Sequence, residues 1–160
     1  MGCFPSGVTV VTTSKEDGSL CGLTATSVCS VSLDPPLLLV CVDESSDSLS
    51  VLRGSRAFTV YFLASGAEEV ANLFALKGEE KAAAIRANLV SDLLAHAVAF
   101  AECEVTHELQ AGDHTIFVGC VHRGGKLPGE KQPLVFRRGT YRTWPLDESG
   151  DRIGTGRRTA

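Results

Sequence analysis

The sequence predicts a mainly β domain, an antiparallel barrel built from seven short strands with two or three helices. Short runs rich in Val, Thr and Phe recur along the chain, and clusters of Gly, Pro, Asp and Ser separate them. Closing such strands into a barrel removes the exposed edges that they would otherwise present. A hydrophobic fraction of 44% and a charged fraction of 21% are ordinary for a globular protein of 160 residues. We therefore predict one domain at residues 1–146 and a polar, disordered tail at 147–160.

The first two strands are predicted as a hairpin over residues 8–25. Gly7–Thr13 is rich in Val and Thr, which fit a pleated, half-buried surface. Gly18 lies in the polar turn that follows, where it can take a positive φ. Leu20–Ala25 is then expected to return as the second strand of the hairpin.

The next stretch combines a hydrophobic strand with two groups of hydroxyl side chains. The apolar run Leu37–Val42 predicts a strand that is buried on both faces, and Pro35-Pro36 predicts a loop that enters it. Ser and Thr collect in ordinary turns, so these hydroxyl groups alone do not define a site. Two hydroxyl-rich edges beside one strand would nevertheless suit a pocket for a polar, phosphorylated ligand. The first group contains Thr24, Thr26, Ser27, Ser30 and Ser32, and the second contains Ser45, Ser46, Ser48 and Ser50.

A short helix is predicted directly after the second hydroxyl group. Ser46 or Asp47 would cap it, and Gly54 would end it. A helix start presents unpaired backbone N–H groups and a positive dipole end, which together favour a phosphate. Ser46 could therefore cap the helix and contact an anion at the same time.

The second half of the chain predicts strands with one clear helix between them. In Ala57–Leu63 apolar and polar residues alternate, which indicates a strand. Ser65 and Glu68 have the spacing of a capping box, and this predicts a helix to about Leu76. Residues 79–97 have a partly helical composition. The remaining strands are predicted at 98–109, 114–122 and 134–136.

Composition argues against several classes of function. The net charge is −4 and Lys and Arg form no cluster of five or more, so we expect no binding to nucleic acid. No apolar run approaches the ~20 residues that span a bilayer, and no secretory signal is visible. The six cysteines and four histidines lack metal-ligand spacing, so we expect no metal site. We expect the cysteines to be reduced thiols in a cytoplasmic protein. The glycine motifs of the common nucleotide cradles are also missing, so a nicotinamide dinucleotide would bind without a Rossmann domain.

Four segments resemble the flavin reductase family, whose members have an FMN-binding split-barrel fold. The longest is Thr24–Leu37, with the sequence Thr-Ala-Thr-Ser-Val-Cys-Ser-Val-Ser-Leu-Asp-Pro-Pro-Leu. Phe4–Thr13 resembles the first strand of the family, Gly112–Thr115 its late Gly-Asp-His turn, and Phe136–Tyr141 its closing segment. The four segments follow the family's order over residues 4 to about 144. The resemblance implies an antiparallel six- or seven-stranded split barrel of Greek-key type.

The resemblance also implies an activity. The expected reaction is reduction of FMN or FAD by NADH or NADPH, with a hydride passed from the nicotinamide to flavin N5. Reduced flavin would then be supplied to a partner monooxygenase. A homodimer is expected, with the flavin groove at or near the subunit interface. Two alternatives remain open: a barrel that holds flavin tightly and acts on its own substrate, and a non-catalytic barrel that binds flavin, haem or a partner protein.

The residues expected at the site follow from the same resemblance. His114 is expected beside the flavin ring, where it would orient the nicotinamide. Tyr141 belongs to the closing segment that resembles the family and is expected near the proposed site, although a core role is its alternative. The other expected cofactor-binding residues are Thr24, Ala25, Thr26, Ser27, Ser30 and Val31 along the ring edge, and Ser45, Ser46 and Ser48 at the phosphate.

Overall fold

The computed structural model describes residues 2–86 and 92–143. Within these ranges, two antiparallel sheets and three helices form the fold. The strands are β1 (Ser6–Gly7), β2 (Thr9–Ser14), β3 (Leu20–Ala25), β4 (Val28–Leu33), β5 (Pro36–Asp43), β6 (Ala57–Leu63), β7 (Ala97–Ala111), β8 (His114–Lys126), β9 (Leu134–Arg137) and β10 (Thr140–Thr143). The helices are α1 (Leu49–Ser55), α2 (Glu68–Ala75) and α3 (Gly78–Arg86), and a 3-10 turn spans Leu93–His96.

The large sheet has seven strands in the order β3-β2-β6-β7-β8-β5-β4. Its two edge strands, β3 and β4, are joined by only two residues, Thr26 and Ser27. The sheet must therefore curl until its edges meet. Ser27 O accepts a hydrogen bond from Cys41 N at 3.0 Å, which fixes this connection beside β5. We call the region between the outer edges of β3 and β4, beside the connection Thr26–Ser27, the seam.

Two hydrophobic clusters hold the structure together because β2 presents apolar residues on both faces. Val11 belongs to the first cluster, which fills the barrel, and its neighbour Val10 belongs to the second, which lies beneath α2. Each fully buried Val or Phe contributes about 1.5–3 kcal/mol. Gly22 on β3 lets α2 approach closely, since a Cβ there would lie 2.9 Å from the ring of Phe74 and 2.8 Å from Val11 O.

Most predicted strands are confirmed, and Leu20–Ala25 and Ala57–Leu63 have the predicted bounds. The main omission is in the hydroxyl-rich segment, where no strand is predicted and Val28–Leu33 forms strand β4. Pro36 is the first residue of β5, a position where a sheet tolerates proline. The capping box is also wrong, since α2 begins at Glu68 and Ser65 Oγ instead lies 2.6 Å from Thr143 Oγ1.

The apolar run in β5 is buried on one face only within a single chain. Leu38, Val40 and Val42 point into the barrel and are at most 8% exposed. The alternate residues are half-buried, so the prediction of burial on both faces is wrong for the isolated chain. Together with the outward residues of the neighbouring β8 they form what we call the outer apolar face: Leu37, Leu39, Cys41, Ile116, Val118 and Cys120.

Several sequence expectations concern residues outside the described ranges. The predicted tail at 147–160 lies outside them, as do residues 87–91 of the stretch 79–97. All six cysteines are described, and all are free. Across the described residues, no helix is both long enough and apolar enough to cross a membrane.

Candidate functional site

The loop that follows β5 brings hydroxyl, carboxylate and ammonium groups together. Asp43 Oδ1 accepts hydrogen bonds from Ser45 N at 2.7 Å and from Ser45 Oγ at 2.6 Å. These bonds, more than the nearby charges of Lys77 and His114, lower the pKa of Asp43. Lys77 Nζ donates to Ser45 Oγ at 3.1 Å. The Ser45 hydroxyl is therefore held between a carboxylate and an ammonium group.

A second lysine completes this group of side chains. Lys81 is only 5% exposed, and a lysine is rarely buried to this extent without a partner. Its Nζ lies 3.8 Å from Asp47 Oδ2. The same carboxylate oxygen accepts from Gly78 N, at the start of α3, at 2.6 Å. We call these residues the lysine–serine cluster: Asp43, Ser45, Asp47, Lys77 and Lys81.

His114 lies beside the cluster, because β5 and β8 pair Asp43 with His114. Its Nδ1 is 2.7 Å from Asp113 Oδ1, and its side chain is 40% exposed. This hydrogen bond, followed by the charge of the imidazole, lowers the pKa of Asp113. Glu44 N donates to Asp113 O at 2.9 Å, so the turn before His114 is tied to the end of β5.

A network of polar side chains also holds the turn before His114 in place. Thr115 is fully buried, and its hydroxyl donates to the Glu44 carboxylate. Arg53 on α1 donates to Thr115 Oγ1 at 2.9 Å and to Glu108 Oε1 at 2.6 Å. The hydrogen bond to Glu108 and the neighbouring carboxylates raise the pKa of Arg53. This network ties α1 and the loop after β5 to the β7–β8 hairpin, which carries His114.

The edge of β3 presents backbone groups to the seam. Ser48 Oγ donates to Gly22 O at 2.8 Å, so the backbone carbonyl of Gly22 points away from β2. Backbone orientation alternates along an antiparallel strand, and Thr24 therefore presents its N–H and C=O on the same side. The Thr24 hydroxyl is used elsewhere, donating to Ala71 O in α2 at 2.5 Å. Ala25 O points the other way and accepts from Thr9 Oγ1 at 2.7 Å.

Across the seam, the corresponding residues of β4 are accessible. Thr26 and Ser27 in the connection are exposed, as are Ser30 and Val31. The pairing of β4 with β5 shifts between Ser30 and Ser32, which marks a bulge at this point. A bulge leaves one residue out of the ladder and bends the strand locally. Its backbone groups are then available to a ligand lying in the seam.

Ser48 does not support the predicted contact with a phosphate. It is fully buried, and its hydroxyl bonds to Gly22 O while Cys21 Sγ lies 3.3 Å from it. Ser48 instead anchors the loop after β5 against β3. It is also the N-cap of α1 but makes no side-chain capping bond, and α1 has only seven residues. The Ser48 hydroxyl is therefore committed to β3 and is not free for a phosphate at the start of α1.

Tyr141 is held by contacts with α2 and β9. Its hydroxyl donates to Asn72 Oδ1 on α2 at 3.0 Å, and its ring centroid lies 5.3 Å from that of Phe136. Burial raises its pKa. These contacts place Tyr141 in the second hydrophobic cluster, which fits the alternative core role and gives no support to a cofactor contact.

Lys77 and Lys81 are site candidates that the sequence analysis missed. They lie four residues apart in Lys-Gly-Glu-Glu-Lys, a spacing that places both on one side of a helix start. That spacing was the available signal, but it does not identify Ser45 as a partner 32 residues earlier. Within residues 2–86 and 92–143, no group of three or more His, Cys, Asp or Glu side chains is arranged to hold a metal ion.

The amino-acid sequence matches the flavin reductase like domain family over residues 1–145, and the chain therefore belongs to this family. The flavin reductase (NADH) of Kitasatospora aureofaciens is 42% identical over 153 residues, which cover 92% of this chain and 80% of that protein. The reductase component of the flavin-dependent trigonelline monooxygenase of Acinetobacter baylyi is 37% identical over 96% of this chain, which spans 50% of that component.

The fold is shared with solved structures of the family. The NADH:FAD oxidoreductase of Streptomyces globisporus, solved in complex with NAD and FAD fragments, matches this chain with a TM-score of 0.81 at 34% identity. The match covers 92% of this chain and 90% of that protein. The predicted mainly β, antiparallel split barrel is confirmed.

Proposed function

We propose that this protein is an NAD(P)H:flavin oxidoreductase that reduces FMN or FAD and releases the reduced flavin to a partner monooxygenase. The observation that carries the proposal is that the seam and the lysine–serine cluster are joined. Ser48 connects them directly, because it lies in the loop of the cluster and its hydroxyl bonds to Gly22 O on β3. A ligand with a flat polar ring and a phosphate arm matches both parts.

The chemistry of the cluster fits the phosphate of a flavin nucleotide. Lys77 and Lys81 supply two ammonium groups, and the Ser45 hydroxyl already accepts a hydrogen bond from Lys77 at 3.1 Å. Ammonium groups bind phosphate as point charges through short, charge-assisted hydrogen bonds. Ser46 is partly buried in the same loop and offers a further hydroxyl.

The seam fits the edge of the ring. The ring edge would lie against the backbone N–H and C=O of Thr24 on β3 and against Thr26 and Ser27, which are exposed in the connection to β4. Ser30 and Val31, exposed at the bulge in β4, would contact it from the other strand. Backbone donors and acceptors recognise the carbonyl and N–H groups of the ring without adding charge. When bound, the flavin supplies the hydride acceptor, and the protein supplies distance and alignment.

His114 would orient the nicotinamide. The hydrogen bond to Asp113 fixes the imidazole through Nδ1, and a carboxylate acceptor favours the proton on that nitrogen. With Nδ1 engaged by Asp113, Nε2 would be the hydrogen-bond partner of the nicotinamide carboxamide. No proton transfer by His114 is required for the hydride step.

The outer apolar face supports a homodimer. Three residues of β5 and three of β8 leave half-buried apolar side chains on the outside of the barrel, and Leu109 beside them is 63% exposed. A contiguous apolar surface of this kind favours contact with another protein surface. A second copy of the chain would bury this face of β5 and bring it close to the seam. The six free thiols suit a reducing, cytoplasmic location.

Steady-state oxidation of NADH and NADPH, followed by absorbance with and without added FMN or FAD, tests this function. We expect the rate to rise with the concentration of free flavin, because the flavin acts as an exchangeable substrate. A rate that does not depend on free flavin would favour the alternative with a tightly bound cofactor. Bound flavin without any oxidation would favour the non-catalytic alternative.

A further inference from the structure

The lysine–serine cluster carries no net positive charge, although the proposed function places a phosphate there. Lys77 and Lys81 contribute two positive charges, and Asp43 and Asp47 contribute two negative ones. A phosphate monoester at pH 7 carries a charge of about −1.5 to −2. Binding it would therefore leave the cluster with a net negative charge, which lowers the affinity.

The carboxylates of Asp43 and Asp47 differ in the contacts that hold them. Asp43 is engaged twice by Ser45, next to His114. Asp47 accepts one hydrogen bond from Gly78 N at 2.6 Å, and its distance of 3.8 Å from Lys81 is long for a hydrogen bond. An uncharged oxygen acceptor can still accept from Gly78 N, although more weakly than the carboxylate does. The hydrogen bond to Gly78 N can thus be kept while the charge of Asp47 is removed.

We propose that Asp47 is a specificity-determining residue that limits the affinity for flavin phosphate and keeps the flavin exchangeable. This inference rests on the proposed function, which places the phosphate beside Lys77 and Lys81. The Asp47 carboxylate competes with the phosphate for Lys81 and repels its charge. Reduced flavin therefore leaves the site readily, as a protein that supplies another enzyme requires.

The inference is tested by fluorescence titration of FMN and riboflavin into the wild type and the Asp47→Asn variant. Asparagine keeps an oxygen acceptor for Gly78 N and removes the charge. We expect the Kd for FMN to fall about five- to tenfold, because a unit charge near a phosphate has an effect of this order at a partly solvated surface. The Kd for riboflavin, which lacks the phosphate, should not change. Stopped-flow dissociation should show FMN leaving more slowly by a similar factor.

Two further variants separate charge from geometry. Asp47→Ser also removes the charge but places a hydroxyl of different length, and we expect the same gain for FMN. Asp17→Asn is the matched control, because Asp17 accepts from Ser19 N at 2.8 Å in the turn between β2 and β3. It should leave both Kd values unchanged.

The proposal is overturned if both Asp47 variants leave the FMN affinity unchanged or weaken it, or if riboflavin tightens equally. Lys77→Met distinguishes this result from failure of the proposed phosphate site. If Lys77→Met weakens FMN selectively while the Asp47 variants have no effect, the site stands and only the inference about Asp47 falls. If Lys77→Met also leaves FMN unchanged, both fall.

Discussion

Replacing Lys81 by methionine tests the most distinctive feature of the proposed site, a lysine that is only 5% exposed. Methionine has a similar length and is apolar, so the buried stem of the side chain keeps most of its packing. The change removes the ammonium group that would contact the phosphate. We expect binding of FMN to weaken and binding of riboflavin to remain nearly the same.

The contacts of Lys81 set a range for the expected loss of FMN affinity. A hydrogen bond between charged groups contributes about 1.5–3 kcal/mol, which corresponds to roughly a 10- to 150-fold rise in the Kd for FMN. Asp47 already competes for Lys81, so the lower part of this range is expected. The effect on folding should be small. The contact with Asp47 spans 3.8 Å to a side chain that is 44% exposed, and such pairs contribute below about 1 kcal/mol.

Isothermal titration with FMN and with riboflavin measures the effect, and thermal unfolding checks that the variant is folded. Lys126→Met is the matched control, because Lys126 is exposed at the far end of β8 and carries the same charge. An equal loss of affinity for FMN and riboflavin would refute the reasoning, since it would mean that Lys81 acts on the ring or on the fold. No loss for either ligand would remove Lys81 from the site.

Three other predictions concern the nicotinamide, the hydroxyl groups and the dimer. His114→Ala should slow NADH oxidation and leave flavin affinity nearly unchanged. His107→Ala on the same hairpin should change neither the rate nor the flavin affinity. Loss of flavin binding in the His114 variant would contradict the assignment. Ser46→Ala should weaken FMN binding by about 1 kcal/mol and lower stability only slightly, because the Ser46 hydroxyl accepts a long hydrogen bond of 3.3 Å from Ser48 N. Ser48→Ala should instead lower the free energy of unfolding by about 1–3 kcal/mol, because it leaves the buried Gly22 carbonyl without its donor. Urea denaturation that shows a larger loss of stability for Ser46→Ala than for Ser48→Ala would be inconsistent with this contrast. Ile116→Lys on the outer apolar face should convert a dimer to a monomer in sedimentation experiments, and a wild type that is already monomeric would exclude that interface.

Much of the fold can be predicted from local patterns. Ala57–Leu63 alternates apolar and polar residues, and both of its ends were predicted correctly. Strand β4 could not be predicted in this way, because its serines and small side chains resemble those of a turn. It is a strand because β5 pairs with it, and that pairing depends on a neighbour that local propensity does not reveal.

The candidate site, like the fold, could be predicted only in part from local sequence. The resemblance selected Ser45, Ser46 and Ser48 together, but only the fold shows that Ser48 is turned inward to Gly22. Lys77 contacts Ser45 and Lys81 lies near Asp47, although more than 30 residues separate the partners of each pair in the sequence. Charge partners brought together by tertiary structure leave little trace in one sequence.

A crystal structure of the protein with bound FMN tests the central claim most directly. We predict that the phosphate lies within hydrogen-bonding distance of Ser45, Lys77 and Lys81, with the ring along the seam between β3 and β4. The claim would be contradicted if the phosphate bound elsewhere, for example in the groove of about 650 Å³ between the β2–β3 turn and α1.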